Sequence, residues 1–211
     1  SRKEPKVNDA LLEIDKAVKS SKRVAAWGAY ALTRVQREKR NKKNVNIAKI
    51  IQSVVNELEP AYKAASITIN INLKDVYTYT FQMDIETVLI NLLTNAYTAA
   101  TLKSGKRLIS IKLIEEDLKE PKKLIENGYS LIVSDSGPGV SKEFEHRLFE
   151  PLFSTKVNPS QGSKSIGTGL GLTVVNSIVN DLNGKISFDR DPDLKGARFK
   201  IWIPKERKQR S

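Results

Sequence analysis

From Ser66 onward the apolar residues of this chain fall on every second position, as Ile67, Ile69, Ile71 and Leu73 in "SITININL". Ahead of that point they fall three and four apart. A period of two turns one face of a strand toward a core, and a period near 3.6 does the same for a helix. A chain that changes from one to the other must build a sheet and cover it with helices. The strand pattern resumes in "VYTYTF" after a turn at Lys74 and Asp75. A long helix is expected from about Asp84 to Leu102, with Val88, Leu89, Leu92, Leu93 and Ala96 inward. "RLISIKLIE" and "YSLIVSD" read as strands, and a short helix spans about Lys142 to Leu148. Another helix opens near Gly171 and runs through "LTVVNSIVNDL". The segments "GKISFD" and "ARFKIWIP" close the chain as a hairpin, with Gly196 in the connection. Strands and helices mix without strict alternation, so the expected class is α+β, a mixed sheet with helices on one face.

The first forty or so residues follow a different rule. Leu11, Ile14, Val18, Ser21, Ala25, Gly28, Leu32 and Val35 form a heptad seam. One helix cannot bury such a stripe, so it asks for a partner helix, from elsewhere in a longer protein or from a second copy. "NKKNVN" then breaks the pattern, and Asn46 reads as the cap of a helix carrying Ile50, Ile51, Val54, Val55 and Leu58. The expected division is therefore a heptad helix over 1–44, a mixed domain over 45–206 and a basic tail over 207–211. The start at Ser1 and the single methionine, Met83, lead to the expectation that the chain is a fragment.

Composition narrows the partners. The 211 residues suffice for one sizeable core, and they include no cysteine, which excludes a disulfide framework and any thiolate metal site. No apolar run approaches the length of a membrane-spanning helix and no secretory leader is visible, so a cytoplasmic location is expected, with a membrane anchor left open for a longer parent. A net charge of +12 asks for an anionic partner. The densest basic run, "RVQREKRNKK", is not interleaved with aromatics, so no specific nucleic acid is expected. A nucleotide would also gain from the positive field.

Four short stretches carry chemistry. In "NLLTNA" the amides of Asn91 and Asn95 project from one helix face, one turn apart. Carboxamides offer oxygens to a hard cation and N–H groups to phosphate. In "SDSGPGV" Asp135 ends a strand, with Gly137 and Gly139 behind it. A carboxylate there can accept from an exocyclic amine, and the glycines leave the backbone open to a planar ring. "RLFEPLFSTK" sets Phe149 and Phe153 across Pro151, as anchors of a loop bearing Lys156. "GTGLGL" places Gly167, Gly169 and Gly171 at the mouth of a helix, where bare N–H groups favour an anion. Singly, each stretch has a plainer reading as loop satisfaction, turn, packing or linker. Together they make a cation site, an amine-reading acid, a lid and a phosphate cradle, which ATP with Mg²⁺ satisfies.

In this order the stretches resemble the N, first-glycine, F and second-glycine boxes of the GHKL ATPases (gyrase, heat-shock chaperone, histidine kinase, MutL). "FEPLFSTK" followed by "GTGLGLTVV" is most similar to the catalytic ATP-binding domain of bacterial sensor histidine kinases, over about residues 46 to 204. The resemblance implies a Bergerat fold, a two-layer α/β sandwich. It implies Mg²⁺ at Asn95 with Asn91 beside it, and adenine at Asp135, Gly137 and Gly139. It implies a lid from Ser154 to Ser165 with Lys156 near phosphate, and nucleotide contacts at Thr168, Gly169, Leu170 and Gly171. The heptad helix resembles the second helix of a dimerisation and phosphoacceptor hairpin.

Hydrolysing members of the group carry a water-activating glutamate where this chain has Asn91. An amide is no base near neutral pH, so the resemblance favours transfer of the γ-phosphate over hydrolysis. The single histidine, His146, lies between the glycine box and the F-box, and is expected on the surface. The accepting histidine is then expected outside this chain, on a helix of the parent protein. The implied partners are that helix, a response-regulator receiver domain and a second copy joined through the N-terminal helix. A second reading is a nucleotide-gated conformational module without phosphotransfer.

Overall fold

The computed structural model describes residues 41–118, 126–150, 153 and 170–206. The heptad helix, the lid, Lys156, Thr168, Gly169 and the basic tail lie outside the described residues. The chain enters at strand β1 (Lys43–Asn46) and continues directly into helix α1 (Ile47–Ala64). Asn46 caps that helix as expected, its side-chain oxygen accepting from the Lys49 amide at 3.2 Å. Its amide nitrogen donates to Asp75 at 2.8 Å, which pins the cap to the turn ahead of β3.

Strands β2 (Ile67–Leu73) and β3 (Tyr77–Thr80) follow, then helix α2 (Gln82–Thr101) and strands β4 (Arg107–Glu115) and β5 (Gly128–Asp135). A 3₁₀ helix covers Lys142–Arg147. Helix α3 (Gly171–Asp181) and the pair β6 (Lys185–Arg190) and β7 (Ala197–Pro204) complete the described order.

The main sheet runs β2-β4-β5-β7-β6, with β2 parallel to β4 and the remaining pairs antiparallel. Register aligns its inward residues into rows. Ile111 faces Val133, which faces Phe199, and Leu113 faces Leu131, which faces Ile201. These six side chains are buried, and all three helices pack against the sheet, with Val88, Leu89, Leu92 and Leu93 of α2 buried beneath. The architecture is the expected α+β mixed sheet under one helical layer.

Two features depart from the pattern read in the sequence. "NKKNVN" is a strand as well as a cap, since β1 pairs with β3 from Lys43 opposite Thr80 to Asn46 opposite Tyr77. The strand begins two residues ahead of the expected domain start. In addition, β3 leaves the main sheet and forms a separate two-stranded sheet with β1. The C-terminal segment seals this small sheet: Tyr79 donates its amide to the Glu206 carbonyl at 2.9 Å, and Lys42 pairs with the Glu206 carboxylate.

Candidate nucleotide site

The site lies where the end of β5, helix α2 and the start of α3 meet. Asp135 is 3% exposed at the C-terminal end of β5. Its Oδ1 accepts from the Gly137 amide at 2.8 Å and from the Ala197 amide at 3.3 Å. Two backbone donors on one oxygen fix the plane of the carboxylate.

The glycines around it have structural reasons of their own. A Cβ on Gly137 would lie 2.7 Å from the backbone of Ala99, so this glycine lets β5 close onto helix α2. Gly139 has φ of +76°, a conformation that side chains rarely adopt. The sequence reading missed Gly196 as a site residue. A Cβ there would meet the Asp135 carbonyl at 2.2 Å and Oδ1 at 2.4 Å, so the β6–β7 turn can reach the acid only as glycine. No local signal in "LKGARF" reveals that approach, because it is set by the pairing of β5 with β7.

Asn91 and Asn95 lie half-buried on one face of α2, over Leu92 and Leu93, which are 1% and 0% exposed. Asn91 donates its amide nitrogen to the Thr87 carbonyl at 2.8 Å. Gly171 sits beside both amides: a Cβ there would lie 2.8 Å from Asn91 Oδ1 and 3.7 Å from Asn95 Nδ2. Helix α3 opens at Leu170, whose side chain makes no capping bond, so the start of the helix dipole is set beside this corner. The structure thus brings Asn91, Asn95, Leu170 and Gly171 together at one end, and Asp135, Gly137 and Gly139 at the other.

Around the site, Tyr62 braces α1 against α2 by donating to the Leu93 carbonyl at 3.0 Å, with its ring edge-on to Tyr97. Burial pushes the Tyr62 hydroxyl up to about 12, with Tyr97 adding to the rise. Phe149 and Phe153 pack against the core, and the Arg147 guanidinium lies 4.6 Å from the Phe153 ring centre. His146 is exposed, as expected.

The donor set fits Mg²⁺. It supplies neutral carboxamide oxygens, and Mg²⁺ commonly takes one or two protein ligands and fills its shell with phosphate and water. Among the described residues no cluster of three or more His, Cys, Asp or Glu side chains could hold a metal alone.

The family model described as histidine kinase-, DNA gyrase B- and HSP90-like ATPase matches residues 80–207. The chain belongs to this family. Among named relatives it is 29% identical over 163 residues to the sensor protein TdiS of Thauera aromatica, a match covering 75% of this chain and 27% of TdiS. It is 28% identical over 164 residues to the histidine protein kinase SaeS of Staphylococcus aureus, covering 76% of this chain and 43% of SaeS. The match thus spans less than half the length of either relative. Among solved structures, the catalytic domain of the histidine kinase ThkA superposes with a TM-score of 0.63 at 26% identity, covering 80% of this chain and all of that domain. The domain is an ATP-binding catalytic domain of the sensor histidine kinase type, and the resemblance seen in its boxes is borne out. Among the described residues no helix is long and apolar enough to cross a membrane.

Proposed function

We propose that this domain binds Mg-ATP and delivers the γ-phosphate to a histidine on a helix outside this chain. The observation that carries the reading is the pairing of Asp135, held by two backbone amides, with the Asn91–Asn95–Gly171 corner. Asp135 would accept the adenine amino group. Asn95, with Asn91 beside it, would hold Mg²⁺, which neutralises phosphate charge when bound. The first-turn amides of α3, with Thr168 and Gly169 ahead of them, would cradle the phosphates, and Lys156 would approach from the lid.

Phosphoryl transfer needs position and charge stabilisation more than covalent chemistry from the protein. An imidazole nitrogen forms the new N–P bond as the β–γ bridging O–P bond breaks, and ADP leaves. Asn91 stands where a carboxylate would activate water, and an amide cannot take that proton. Hydrolysis is thereby slow and the phosphate is kept for the imidazole.

We place the unit at about 43–206, since β1 pairs inside it, with the heptad segment as half of a dimerising hairpin. The protein would work in the cytoplasm, whether or not its parent is anchored, and a receiver domain is the expected onward acceptor. One neighbour, ThkA, has been solved in complex with the response regulator TrrA. The test is calorimetric titration of Mg-ATP into the full chain and into Asp135→Asn. Losing one charge-assisted hydrogen bond should weaken binding by about 10–100-fold, and equal affinities would remove the nucleotide reading. Incubating the full-length parent with γ-labelled ATP should then yield acid-labile phosphohistidine. Retained binding with no labelled protein would favour the conformational module.

A further inference from the structure

The β6–β7 turn that meets Asp135 is itself clasped by a second acid. Asp191 is 9% exposed at the end of β6. Its Oδ1 accepts from the Asp193 amide at 3.0 Å and the Leu194 amide at 2.8 Å. Its backbone closes the same turn, donating to the Gly196 carbonyl at 2.9 Å and accepting from the Lys195 amide at 2.9 Å. Lys195 has φ of +65°, a left-handed conformation that a non-glycine residue adopts only where its surroundings hold it. Ser134, one residue before Asp135, lies beside the Asp191 carboxylate. Burial pushes that carboxyl up, but the Leu194 amide, the Ser134 hydroxyl, the Asp193 amide and Arg198 together hold it below the usual range.

Successive residues of a strand point to opposite faces of the sheet. Ser134 therefore flanks the turn on one face, beside Asp191, while Asp135 holds it from the other through Ala197. We propose that Asp191 is a positioning residue for the nucleotide site: it shapes the Asp191–Gly196 turn so that the Ala197 amide fixes the Asp135 carboxylate for adenine. The inference rests on Asp135 being the base-reading acid. The Ala197–Asp135 bond then depends on the carboxylate of Asp191.

Two readouts keep the inference separate from the nucleotide reading. The first needs no nucleotide: hydrogen exchange of the Ala197 amide in the full chain, in wild type, Asp191→Ala and Asp191→Asn. Exchange should speed up by about tenfold in Asp191→Ala, as expected for loss of one net hydrogen bond. It should stay near wild type in Asp191→Asn, whose side-chain oxygen can accept from the same two amides. Unchanged exchange in Asp191→Ala would overturn the proposal, whatever the ligand. The second is titration with Mg-ATP and Mg-GTP. Asp191→Ala should lose about tenfold in ATP affinity with GTP affinity nearly unchanged, since only adenine has the amine that Asp135 reads. Equal loss for both nucleotides would reduce Asp191 to a stability residue and also overturn it. If Asp191→Ala does not fold, Ser134→Ala takes its place in both measurements, with a smaller effect in the same direction. A wild-type response in Ser134→Ala would then count against the proposal. If Asp135→Asn binds Mg-ATP as wild type does while Ala197 exchange still responds to Asp191, the nucleotide reading has failed and the clasp stands.

Discussion

The two ends of the candidate site are built by different means. At the base end, an almost fully buried carboxylate is held by backbone amides from two strand ends, and Gly196 presses against it with no room for one further carbon. At the other end, two half-buried carboxamides on a helix face meet the start of another helix, where Leu170 offers no capping side chain. One end is set by folding, because its groups are committed to the main chain. The other is polar, with two carboxamides and a helix start gathered on one corner. On the proposed function, such a site would read the base rigidly and adapt to a charged tail.

Changes at the two ends should therefore fail differently. The largest effect is expected from Gly196→Ala. Its Cβ would press on backbone, which cannot swing away, so stability should fall by about 1–3 kcal/mol in urea unfolding, with Mg-ATP binding lost as well. A variant with wild-type stability would mean that the base end is softer than its geometry implies. Next comes Asn95→Ala, which should fold normally. ATP affinity in the presence of EDTA should match wild type, while the gain on adding Mg²⁺ should shrink by about tenfold. If the gain survives, the cation is held elsewhere.

Gly171→Ala sharpens the contrast. Its Cβ would meet the end of the Asn91 side chain, which can rotate, and alanine suits a helix better than glycine by up to about 1 kcal/mol. Thermal stability should hold or rise while Mg-ATP affinity drops severalfold, and a variant that unfolds early would erase the distinction between the ends.

The smallest effect is the pH response of the framework. Asp191 is held below the usual carboxylate range, and so is Glu116, chiefly by its hydrogen bond from Lys200. Their folded-state values lie below the unfolded ones. The stability they contribute is therefore present at neutral pH and is lost as pH falls from about 4 through the native values. Tyr62 works in the other direction, its contribution fading as pH rises from about 10 toward about 12. Thermal melts across pH should show both shoulders, and the acid one should weaken in Asp191→Asn.

Much of the helical layer was legible in the sequence. Val88, Leu89, Leu92 and Leu93 mark the inward stripe of α2, and Asn46 announces the start of α1, because caps and periodicity are local. The placement of the Asn pair on one helix face and of Asp135 at a strand end was legible for the same reason, since both follow from local period. What stayed hidden was non-local. β1 is four residues long with one aliphatic side chain, so it has no period to detect, and its partner lies beyond α1 and β2. The approach of Gly196 to Asp135 and the turn that Asp191 holds follow from β7 lying beside β5, a register that neither strand declares by itself. Gly137 was legible as a bare position, but the Ala99 backbone that requires it belongs to another element.

The central claim is that the end of β5 and the meeting of α2 with α3 form one nucleotide site. Its most direct test is a titration of the isotope-labelled full chain with Mg-ADP, followed through backbone amide signals. The account predicts that Gly137, Ala197, Asn95 and Gly171 shift together along one binding curve, while Asn72 and Lys112 on the opposite sheet face stay in place. Shifts confined to one of the two ends, or centred on that opposite face, would contradict it.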